Sequence, residues 1–132
     1  MTIRATRVAV LNRLKANPDL TAITFEGVVS TRPQKYVTVF MDNGFRESER
    51  VTARNTRATF TVTVHSVGST PEQVQWVAER VFAQLVNWTP SIEGRRSSRS
   101  RHVVSRPIDL DTGLNPPAFF SVDQFEIETS PL

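Results

Sequence analysis

Two groups of residues in this 132-residue sequence have types and spacing that suggest chemistry: the tripeptide Asp111-Thr112-Gly113 and a run of arginines from Arg95 to Arg106. Asp-Thr-Gly is the catalytic tripeptide of aspartic proteases, which place it early and build several strands after it. Here Leu114 follows instead of a small residue, Asn115-Pro116-Pro117 interrupts, and 19 residues remain after Gly113. A β-turn explains the tripeptide better, because Asp bonds its own backbone and Gly accepts the dihedrals that turns require. The other catalytic signatures are missing. His65 and His102 are the only histidines, and neither belongs to an HExxH helix. No GxSxG elbow nominates a serine, and the five glycines never fall into a phosphate-cradling pattern. A Ser-His-Asp triad leaves no local trace in a sequence, so it is neither supported nor opposed. Without cysteine there is no disulfide and no thiolate zinc site. The expectation is a protein that is not an enzyme, with no catalytic residue, metal or cofactor.

The arginine run is therefore the more informative feature. Arg95, Arg96, Arg99, Arg101 and Arg106 are separated only by serines, one histidine and two valines. Residues 1–94 hold 11 basic and 8 acidic groups, a balance of +3, and residues 107–132 hold five acids and no base. Those acids are Asp109, Asp111, Asp123, Glu126 and Glu128. Nucleic-acid-binding domains usually spread basic charge over a face, whereas here it sits in one stretch. Three readings stand for a loop at residues 93–106: contact with a partner or with the acidic Asp109, Asp111 and Asp123 region of another copy, contact with DNA phosphates, or simple solvation.

The surrounding elements must position that loop. The chain is long enough for one domain, residues 1–132, and its 39% hydrophobic and 22% charged residues are those of a globular protein. No stretch approaches the roughly twenty apolar residues of a membrane span. Ile3, Val10, Leu11 and Leu14 form one helical stripe, with Arg7 intruding, and Asn17-Pro18-Asp19 ends that helix. Residues 23–29 suit a short strand, and the β-branched and aromatic residues 36–41 another. The segment 42–57, DNGFRESERVTARNTR, reads as a charged hairpin connection that orders on docking or stays mobile. Its charged residues Arg46, Glu47, Glu49, Arg50, Arg54 and Arg57 are a second candidate contact.

RATFTVTVHSV then alternates cleanly, with Phe60, Val62 and Val64 on one face and Thr59, Thr61, Thr63 and His65 on the other. A second helix follows. Thr70 is its N-cap, Pro71 its first residue and Gln73 its capping-box partner. Val74, Val77, Ala78, Val81, Leu85 and Trp88 give it an apolar stripe. Trp76 lies off that stripe, either covering its own subunit or serving as an exposed anchor for another chain. Residues 102–106 suit a strand, 109–117 a turn, and 119–128 a closing strand. The pattern predicts an α+β fold, a largely antiparallel or mixed sheet of four to five strands with two helices on one face.

This succession resembles the tail terminator (tail completion) proteins of long-tailed bacteriophages. The resemblance is carried by NPDL after the first helix, by RPQKYVTVFM, and above all by TFTVTVHSVGS running into TPEQVQWVAERVFAQLV. It implies a hexameric ring on the head-proximal end of the tail tube. Such a ring stops tube polymerisation, meets the head–tail connector or stopper protein, and lets genomic DNA pass non-specifically through its lumen. It would work in the virion, after assembly in the host bacterial cytoplasm. A rival from another class is a small nucleic-acid-binding α+β domain with an Arg/Ser arm, although no aromatic residue interleaves the arginines to stack on bases. Another ring protein of the phage neck shares the same features.

Overall fold

The computed structural model describes residues 2–27, 33–48, 56–114 and 116–131. Helix α1 spans Thr2–Lys15, and its last turn closes where Asn17 and Pro18 begin a tight turn. Thr6, Val10 and Leu14 are its buried positions, while Leu11 packs against the edge of the core. Arg7 does not intrude into the core, because its guanidinium turns sideways to Glu26 at 2.7 Å.

Helix α2 spans Pro71–Leu85 and starts where its capping signals place it. Thr70 Oγ1 accepts from the Gln73 N–H at 3.2 Å, and Gln73 Oε1 accepts from the Ser69 N–H at 2.8 Å. Two otherwise unpaired donors are satisfied this way. Val74, Val77, Val81 and Leu85 are buried, each contributing roughly 1.5–3 kcal/mol over leaving it exposed.

Eight strands form one sheet: β1 (Thr24–Glu26), β2 (Lys35–Met41), β3 (Phe45–Ser48), β4 (Thr56–Gly68), β5 (Arg95–Ser97), β6 (Arg101–Ser105), β7 (Asp109–Asp111) and β8 (Ala118–Pro131). Among the described residues only β1 and β2 pair in parallel, so the sheet is mixed. The α+β class stands, with more strands than the four to five expected. The reason lies in how they line up. β2 and β3 lie end to end along one edge of β4, and β5, β6 and β7 lie end to end along the outer edge of β8. The sheet is therefore five ranks wide, with two of the ranks broken into pieces. The expected strand at 23–29 is Thr24–Glu26 as far as the described residues reach.

Both helices cover one face. Phe60, Val62 and Val64 of β4 point into that layer, as do Val37 and Val39 of β2 and Phe125 and Ile127 of β8. All but Phe60 meet Val10, Leu14, Val77, Val81 and Leu85 in one core. The other face carries Tyr36, Thr38, Phe40, Thr61, Thr63, His65, Phe120 and Val122, and among the described residues no helix lies over it.

Candidate interaction surfaces

The arginine run is largely strand rather than loop, and the strand expected at 102–106 is present as Arg101–Ser105. Arg95–Ser97 and Arg101–Ser105 are strands, and the crossing between them is pinned, because Ser100 donates from its N–H to Trp88 O at 2.7 Å. Arg95 Nη2 donates to both Thr129 O and Thr129 Oγ1 at 3.0 Å, and Arg101 Nη2 pairs with Glu126 Oε2 at 3.0 Å. Arg96, Arg99 and Arg106 are exposed, and among the described residues no side-chain partner holds them. Serines and arginines form these strands because β8, 14 residues long, offers an unbroken ladder of backbone partners.

Contact with the acidic region of another copy is one of the three readings of the basic run; within one chain the two stretches are already neighbouring ranks of one sheet. Glu126 takes Arg101, and Asp123 Oδ1 lies 2.9 Å from His102 Nε2. Asp109 and Asp111 have no cationic partner among the described residues, and their carboxylates accept from the N–H groups of Leu110 and Gly113. The second of these bonds closes the Asp111-Thr112-Gly113 turn. His102 is half-buried between Phe82 and Phe125, each ring centroid 5.1 Å away. This pair sits in a groove of about 620 Å³ beside α2, lined by Val74, Ala78, Phe82 and Ile108.

Of its two readings, covering its own subunit or anchoring another chain, Trp76 takes the first. It is half-buried against the core, with Lys35 Nζ 3.8 Å and the Arg80 guanidinium 3.6 Å from its ring centre. Arg80 is held in turn by Asp19 at 2.9 Å. A ring face between two cations is electrostatically occupied. Trp76 thus covers its own subunit.

In the charged hairpin, Arg46 is placed opposite Ala58 and Glu47 opposite Arg57 by backbone register. Glu49, Arg50 and Arg54 lie outside the described residues. Arg57 is exposed at the start of β4.

Sequence reasoning missed the helix-free face. Tyr36, Thr38, Phe40, His65, Val67 and Phe120 line a hollow there of about 400 Å³, bordered by Asp111 and Leu114. His65 stacks on Phe120 with centroids 6.2 Å apart, and Phe40 tilts against it at 5.3 Å. Burial holds the His65 imidazole below its ordinary pKa, so it is neutral at physiological pH. The signal was present in KYVTVF, where aromatic residues occupy the positions that polar residues take on a solvent-facing strand. Among the described residues, no group of three or more His, Asp or Glu could hold a metal ion.

Comparison with known proteins places this arrangement. No family model matches the sequence, and no curated protein does. The fold is similar to that of a chain from the virion of a native gene transfer agent particle, with a TM-score of 0.74, 14% identity and 96% of each chain covered. A second solved chain superposes with a TM-score of 0.60 at 16% identity, covering 96% of this chain and 91% of its own. At such identities the likeness is one of fold.

Proposed function

We propose that the chain is a structural subunit of a phage-like particle, acting as a tail terminator. Six copies form a ring on the head-proximal end of the tail tube, stop further tube polymerisation and join the tail to the head connector. DNA passes through the lumen, and the chemistry is assembly rather than turnover. The observation that carries this reading is the shared fold with a gene transfer agent virion chain over 96% of both chains. The resemblance of the strand–cap–helix block to tail terminators supports the finer placement.

In this reading the free guanidinium groups of Arg96, Arg99 and Arg106 serve as the outward contacts of the basic edge. Facing a lumen they attract phosphates without reading sequence. Arg95 and Arg101 serve the sheet. The hairpin around Arg46 and Arg57 faces the tube or the neck.

Sedimentation across a wide concentration range, with negative-stain images of the heavy species, tests the ring. The expected product is a sixfold ring with an open centre. A chain that stays monomeric at every concentration, and also in the presence of tube ends, overturns the reading.

A further inference from the structure

Two free surfaces of opposite character lie on opposite sides of the molecule. The first is the aromatic hollow on the helix-free face. Phe40 at its rim is 43% exposed, and His65 inside it makes no hydrogen bond among the described residues. Asp109 and Asp111 flank it, opposite Phe120 and Ala118 in the ladder, with carboxylates that no cation neutralises among the described residues. Arg106 stands beyond them, beside Val122. The hollow is concave, apolar and edged with acid.

The second surface is the outer stripe of α1. This helix has no acidic residue. Arg7 and Arg13 turn inward, to Glu26 and to the Gln84 carbonyl, while Arg4 and Lys15 have no partner among the described residues. Arg4, Val8, Asn12 and Lys15 are all exposed at helical spacing, along about 16 Å of axis. Val8, 44% exposed, is the large apolar residue at the middle of that stripe. The stripe is convex, apolar at its centre and basic at its ends.

We infer that the hollow receives α1 of a second copy of this chain, with Val8 over Phe40, His65 and Phe120 and the basic ends of the helix against Asp109 and Asp111. Donor and acceptor are different patches on opposite faces, so the contact is heterologous and every copy uses both. Repetition then gives a closed ring or an open filament, never a self-limiting dimer. The inference rests on the ring reading for closure, and the contact itself stands on shape and charge.

The absence of cysteine gives a clean test. The Val8→Cys/Phe40→Cys double variant, oxidised mildly, should cross-link into a ladder that ends at the ring. Mixing the two single variants should give cross-linked heterodimers and nothing larger, and each single variant alone should give no ladder. Arg4→Glu with Lys15→Glu should weaken association about tenfold, and Asp109→Lys with Asp111→Lys in the same chain should restore it. Rings that form without any Val8–Phe40 cross-link overturn this inference and leave the ring standing. Cross-linked open chains that never close keep the contact and overturn the ring.

Discussion

Five arginines of one run fall into two groups, held and unheld among the described residues, and the difference can be measured residue by residue. Arg95 donates twice to Thr129 from a partly buried position, so Arg95→Ala should cost about 1 kcal/mol in urea unfolding. Arg96→Ala and Arg99→Ala remove exposed, unpartnered groups and should stay within about 0.5 kcal/mol of the parent. Neutralising Arg96, Arg99 and Arg106 together should nonetheless impair head–tail joining; undiminished particle yield would remove the basic edge from the assembly account. His65 allows a second residue-scale test. Its folded pKa lies below the unfolded value, so the unfolded chain binds more protons as pH falls past the ordinary imidazole range. The stability linked to His65 is present above that range and is lost as pH falls toward the folded pKa. His65→Gln should therefore flatten the fall in melting temperature between neutral and mildly acidic pH, whereas an unchanged slope would mean the ring is not desolvated.

At the scale of elements, what the sequence disclosed depended on whether the signal was local. α2 was legible because Thr70, Pro71 and Gln73 act within one turn, and β4 because its period of two is unbroken from Thr59 to His65. In the outer rank, His102, Val103 and Val104 foreshadowed β6, whereas β5 was hidden because arginine and serine have no strand preference of their own, and β7 because Asp109-Leu110-Asp111 opens a turn-rich stretch. Their conformation is imposed by pairing with β8, which is distant along the chain for β5, where Arg95 faces Pro131, and near for β7, where Asp111 faces Ala118. Once seen, this rank has the features of a protected sheet edge: short strands, arginines, an irregularity in register between His102 and Val104, and Pro107. Replacing Arg101 and Pro107 with valine should raise light scattering on heating, and unaltered scattering would deny the edge this role. The turn between β2 and β3 offers another test. Gly44 has φ +86, and a Cβ there would sit 2.8 Å from the Phe60 ring. Gly44→Ala should therefore destabilise by more than about 1 kcal/mol in denaturant unfolding, by strain and by displacing a fully buried phenylalanine.

For the whole molecule, ladder pairing takes up part of the charge contrast within one chain. The opposite charges of residues 95–106 and 107–132 allow contact between copies, and ladder pairing already joins Arg101 to Glu126 and sets His102 beside Asp123 inside one chain. What remains for partners is what the layers leave uncovered: an aromatic hollow on one side, the basic outer stripe of α1 on the other, and three free arginines along an edge. No local pattern in the sequence could have paired those surfaces, because each draws on residues from several elements. The most direct measurement of the central claim is tube growth. Polymerising tail tube protein with and without gold-labelled chain, imaged by electron microscopy, should show growth arrested and label at one end of each tube. Tubes of undiminished length, with label scattered along them or absent, would contradict the account.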